Sequence, residues 1–232
     1  MRQIMVALLV CATLSWTTLA PADEKAQTSD RTEVTKFLKD HVLGKTVAFP
    51  KTIVKLDDNS MESDSGEQNT FNNFTESGQG FCFDLTVVSK ETRFDLGKDG
   101  KRIQPGRDLS GTEVYRYEIV ERVSTKKLTG TVRILSMTTK APSREGVAIL
   151  VTGMKVVEGK LLWNETLPGY LDLIAAGGKY KPGSWDGKCA FSLIQRKLRF
   201  EMDLTNFDVD PDTLQRTPRK EKLPLFVATE VG

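Results

Sequence analysis

The sequence predicts a mainly-β protein, an antiparallel barrel or sandwich of hairpins with an N-terminal helix, and three observations predict it. The hydrophobic period drops from 3.6 to 2 just past Gly44. Apolar alternating runs then recur at hairpin spacing, separated by turn residues such as Asp99-Gly100 and Glu158-Gly159. The cleanest alternation comes late: Leu198, Phe200, Met202 and Leu204 point one way, Arg199, Glu201 and Asp203 the other.

Taken in order, residues 1–22 have the form of a secretory signal peptide. Arg2 precedes an uncharged apolar run from Ile4 to Leu14, and Ala20-Pro21-Ala22 supplies the small residues of a cleavage site. That run is too short to span a bilayer, which needs about 20 helical residues. Cys11 follows Val10 within the run, a poor setting for lipidation, and leaves with the signal. Residues 23–29 are polar and read as a loose mature N-terminus. A helix starts at Asp30, with Glu33 completing a capping box, and places Val34, Phe37, Leu38, His41 and Val42 on one face before Gly44 ends it.

An apolar strand, Ile53 to Leu56, leads into DDNSMESDSGEQN (57–69), whose composition predicts a solvated hairpin loop. Phe81, Phe83, Leu85 and Val87 alternate with Cys82, Asp84 and Thr86 as a half-buried strand; Tyr115, Tyr117 and Ile119 repeat the pattern. STKK (124–127) turns the chain into a strand over 128–137, and GVAILVTGMKVV (146–157) precedes a return strand in KLLWNE. Leu167, Tyr170, Leu171 and Ile174 sit at helical spacing, predicting a short helix near 168–176. One mainly-β domain is thus expected over 30–207, with a loosely structured C-terminal tail over 208–232.

Cleavage after Ala22 removes one of 33 basic residues and none of 31 acidic ones, leaving 32 against 31. So balanced a chain has no long-range field for a polyanion or an anionic membrane, and nucleic acid is not an expected partner. No later segment is long and apolar enough to span a membrane as a helix, so the expected location is secreted or periplasmic.

Little in the sequence announces chemistry. Cys82 and Cys189 are the two cysteines left after processing, and an oxidising compartment favours a disulfide between them. Strand parity opposes it, since Cys189 shares a face with Phe191 whereas Cys82 shares one with Asp84. The one histidine, His41, lies on the apolar stripe of the first helix, the place of a satisfied, partly buried imidazole rather than of a catalytic base. STKK matches the Ser-x-x-Lys pattern but falls in a turn, without its companion motifs. No closed zinc ligand set and no glycine-rich phosphate loop is present.

In NFDVDPDT (206–213), Asp208, Asp210 and Asp212 fit the first, third and fifth ligand positions of a calcium loop. Thr213 stands where that loop needs glycine and Arg219 where it needs a bidentate glutamate, so a strand-exit turn with a helix cap explains the residues better. Calcium is the one cofactor the sequence brings into question, and no catalytic residue is assigned. Asn73 and Asn164 begin Asn-x-Thr sequons.

The function these observations favour is non-catalytic: binding of a small molecule, or of an envelope or extracellular protein, by an exported β-protein. Phe81, Phe83, Tyr115, Tyr117, Trp163, Trp185 and Phe200 are the aromatic candidates for lining a cavity, and alternating aromatics equally build an ordinary core. The alternatives are a secreted hydrolase using two carboxylates and a purely structural or interaction protein.

Overall fold

A computed structural model describes residues 30–56, 61–138, 149–167, 183–210, 213, 215–220 and 225–231. Residues 1–22, expected as a signal peptide, residues 23–29 and the short helix expected near 168–176 lie outside the described residues. The N-terminal helix α1 runs over Asp30–Phe37 and continues as a wider π turn, Leu38–Val42. In that turn the N–H of Leu43 donates to the Leu38 carbonyl at 2.9 Å, five residues back. Gly44, at φ +77°, then turns the chain into the sheet, a conformation glycine adopts without steric cost.

Among the described residues twelve strands follow: β1 Thr46–Leu56, β2 Met61–Ser77, β3 Gly80–Asp95, β4 Arg107–Asp108, β5 Gly111–Arg122, β6 Lys127–Met137, β7 Ile149–Val157, β8 Lys160–Leu167, β9 Gly183–Ile194, β10 Lys197–Val209, β11 Arg216–Pro218 and β12 Phe226–Glu230. Neighbours in sequence pair antiparallel from β1 to β3, from β5 to β10, and across β3 and β5. β12 then inserts between β10 and β1, Phe200 opposite Ala228 and Val47 opposite Glu230, and this closes a ten-stranded antiparallel barrel. Closure leaves the barrel without an open sheet edge, the main aggregation liability of a β-protein.

The fold is therefore a barrel rather than a sandwich, and residues 208–232, expected as a tail, carry β11 and the closing strand β12. The polar stretch 57–69 also departs from expectation, since β2 begins at Met61. Its outward acids are neutralised by one arginine. Arg102 reaches Asp64 at 2.6 and 3.0 Å and Glu62 at 2.8 Å, with its guanidinium over the Phe94 ring. Charge that composition assigns to a loop is tolerated in a strand because a partner comes from the distant 96–106 connection.

The two ends of the barrel differ. At one end the turns are tight: residues 78–79, 123–126, 158–159 and 195–196, with positive φ at Gly78, Lys126, Glu158, Gly159, Gln195 and Arg196. Helix α1 packs over this end against β6 and β7. It buries Val34, Phe37, Leu38 and Val42, and Arg31 donates to the Gly78 carbonyl at 2.7 Å. At the other end stand the strand termini Asp95, Met137, Ile149, Leu167, Gly183 and Phe226, which the longer connections join. Outward faces carry Arg116, Glu118, Arg133, Lys155, Lys188 and Glu201, whereas a barrel crossing a bilayer turns apolar side chains outward. No helix among the described residues is long and apolar enough to cross a membrane.

The interior next to α1 is filled by rings in mutual contact. Phe81, Phe83 and Tyr117 stack in series, Phe71 bridges Phe83 to Phe191, and Trp163 and Phe200 complete the cluster. Each such pair adds about 0.5–1.5 kcal/mol to what burial supplies. In β7 a bulge at Gly153, φ +67°, sends both Val151 and Met154 inward although they are three residues apart.

The Cys82–Cys189 disulfide does not form. Cys82 faces outward on β3, its Sγ 2.8 Å from Thr75 Oγ1, while Cys189 faces inward on β9 beside Trp163. Residues on opposite faces of separate strands cannot meet the geometry of an S–S bond, and burial pushes the Cys189 thiol well above its ordinary pKa. Alkylation without reductant should label Cys82 in the native protein and Cys189 only after denaturation. Protection of both cysteines until a reductant is added would overturn this arrangement.

Candidate functional site: the barrel lumen

Register fixes which side chains face the interior. Counting from the buried Phe71, Phe83, Ile119 and Phe191, the inward faces toward the open end carry Glu67 and Asn69 on β2, Leu85, Val87 and Ser89 on β3, and Glu113 and Tyr115 on β5. Opposite them stand Glu165 and Leu167 on β8, Trp185 and Gly187 on β9, and Met202 and Leu204 on β10. Inward residues near α1 are fully buried, whereas Phe49, Leu85, Val87, Ser89, Glu113, Tyr115, Met202 and Leu204 are only partly so. The inward faces therefore form a solid aromatic floor next to α1 and a partly buried wall beyond it.

At the floor sits a buried carboxyl. Glu165, 3% exposed, lies on the alternating face Leu161, Trp163, Glu165, Leu167 of β8. Two side chains donate to its Oε1: Tyr117 Oη from β5 and Trp163 Nε1 from its own strand, each at 2.8 Å. Burial raises the Glu165 carboxyl above its ordinary range, and the two donors work against that rise by favouring the charged form. Burial also pushes the Tyr117 hydroxyl well up, so it stays a donor throughout the working pH range. Below the mouth Asn69 is 5% exposed, with an Oδ1 that accepts no hydrogen bond. The phenol of Tyr115 donates to Glu113 along the same strand.

Of the aromatic candidates, Phe81, Phe83, Tyr117, Trp163 and Phe200 form the floor, and Tyr115 and Trp185 stand in the wall. Alternation exposed the rings but not the polar groups that decide what the lumen does. Glu165 had a legible signal, a lone acid on the apolar face of a strand. Glu67 and Asn69 had none, since their stretch has the composition of a loop.

The calcium candidates are placed elsewhere, at the exit of β10. Asp208 Oδ1 accepts from Arg219 Nε at 2.9 Å and Asp210 Oδ1 from the Thr213 N–H at 2.8 Å, while Asp212 lies outside the described residues. Among the described residues no three His, Cys, Asp or Glu side chains are grouped to hold a metal. A calcium ion here would have to displace a guanidinium from Asp208. Millimolar calcium is accordingly expected to leave the melting temperature unchanged; a rise that Asp208→Asn and Asp210→Asn abolish would restore the metal site. His41 packs edge-on to Phe37 at 5.1 Å between ring centroids, on the helix and away from the lumen carboxyls.

Comparison with family models, with curated proteins and with solved structures finds no match.

Proposed function

We propose that this chain is an exported, non-catalytic binding protein that holds a small, largely apolar molecule in the barrel lumen. The observation that carries the reading is the change in the inward faces at the level of Glu165, from buried rings to a part-exposed wall with a few polar groups. Apolar walls with a small number of placed polar groups are the usual composition of a ligand site, and mouths of β-barrels are a usual place for one. The strand ends that the longer connections join stand at this end, where loops on a rigid scaffold usually carry binding function, and α1 packs over the other.

The test is direct. The neutral apolar dye N-phenyl-1-naphthylamine should gain fluorescence saturably with the purified protein, and Val87→Trp, which fills the wall beside Asn69, should abolish the gain. Absence of saturable dye binding, together with absence of any non-covalent adduct in the native mass spectrum of protein isolated from the exported fraction, would sink the reading.

A further inference from the structure

The lumen is not only polar but polar with one sign. The inward acids Glu67, Glu91, Glu113 and Glu165 come from four strands spread around the barrel. Among the described barrel strands the inward faces carry no lysine. Their one arginine, Arg93, lies nearer the open rim and is paired with Glu91 at 2.8 Å. Outside, positive and negative side chains alternate freely, as in Arg116 with Asp84 and Arg133 with Glu118. The excess of acid over base is a property of the inward faces and not of the composition.

A second, independent feature asks for a hydrogen-bond donor. Asn69 Oδ1 is buried and accepts nothing, and an orphaned buried acceptor costs free energy until a donor arrives. Asn69 shares its inward face with Glu67, and the strand row through it runs Asn69, Val87, Glu113, so the orphan lies in the acidic part of the wall. Tyr115 and the ring cluster below supply aromatic surface of the kind that attracts cations.

Resting on the lumen reading above, we propose that the molecule held there is an organic cation, an ammonium group with N–H donors on an apolar body, its head among Glu67, Asn69 and Glu113. Anionic ligands of the same shape are repelled by the same wall, so the acids set specificity by exclusion as well as by attraction.

The test titrates three near-isosteres, 2-phenylethylammonium, 2-phenylethanol and 3-phenylpropanoate, by calorimetry into the full-length mature protein, with the neutral dye as a fourth probe. The ammonium should bind at least about tenfold more tightly than the alcohol, and the carboxylate should give no saturable heat. Glu113→Gln and Asn69→Ala should each weaken the ammonium by about tenfold while the variants keep the parent's far-ultraviolet circular dichroism and a cooperative melt, which separates a lost contact from a lost fold. An alcohol that binds as tightly as the ammonium, or a carboxylate that binds at all comparably, overturns the cation proposal and leaves the lumen reading standing. Dye binding with no response to any of the three does the same, whereas failure of all four probes removes both.

Discussion

Deleting residues 225–232 is expected to abolish cooperative folding rather than trim a tail. β12 pairs with β10 from Arg199 to Met202 and with β1 at Val47 and Ala48. Its Ala228 is fully buried between Phe200 and the β1 wall. At about 1 kcal/mol net for each lost backbone hydrogen bond, plus the apolar burial, the deletion removes upwards of about 5 kcal/mol. A domain of this kind has about 5–15 kcal/mol in all. It also leaves β1 and β10 with open edges, so aggregation should accompany unfolding. Circular dichroism and thermal melts of the truncated chain give the answer. A cooperative melt within a few degrees of the intact protein would show that β12 is dispensable and the barrel can close without it.

Glu165→Ala is expected to be the most damaging single change in the lumen, while Glu165→Gln should be mild and, as pH rises, beneficial. Alanine strands two buried donors, Tyr117 Oη and Trp163 Nε1, at about 1–3 kcal/mol each, and adds a cavity. The melting temperature should fall by roughly 5–20 °C for a chain of this size. Glutamine keeps an acceptor in place.

The pH dependence separates the two roles of the carboxyl. Because the folded-state pKa of Glu165 is raised, the folded protein holds this proton after the unfolded chain has released it. Stability from this group is therefore whole below the unfolded carboxyl pKa and declines as pH climbs toward the raised folded value. Asp84 and Glu230 act oppositely. Arg116 lowers the Asp84 carboxyl, and the Leu198 N–H and Lys45 lower that of Glu230, so their stabilisation is lost as pH falls into the acid range. The clean readout is the difference between Glu165→Gln and the parent, which should grow in favour of glutamine as pH rises above the ordinary carboxyl range. A flat difference across that window would show that Glu165 is not perturbed by burial.

How much of this was legible varies by residue. The helix, its buried face and its stop at Gly44 follow from spacing and from one glycine. The inward set Phe81, Phe83, Tyr115, Tyr117, Leu198 and Phe200 follows from alternation, because one buried face per strand imposes a period of two. The parity of Cys82 against Cys189 argued against a bond that export favoured, and parity was the better guide. Val151 and Met154 break the period of two because a bulge shifts the face at Gly153, and the disagreement lies in backbone geometry that a side-chain pattern does not carry.

What the residue pattern alone dictates is the class of fold, the position of its turns and the direction most side chains take, since these depend on neighbours a few residues away. Three things depend on partners far along the chain and were decided only in the folded molecule. β12 became the closing strand because β10 and β1 each offered an unpaired edge. The acidic 61–69 became half of β2 because Arg102, some forty residues on, neutralises Glu62 and Asp64. Glu165 became a buried lumen carboxyl because Tyr117, from across the barrel, donates to it. In the first two cases the local sequence favours a tail or a loop, and in the third it sets an acid on an apolar strand face without naming its partner. The long-range pairing offsets that preference by satisfying backbone edges and buried charge that no local structure can satisfy.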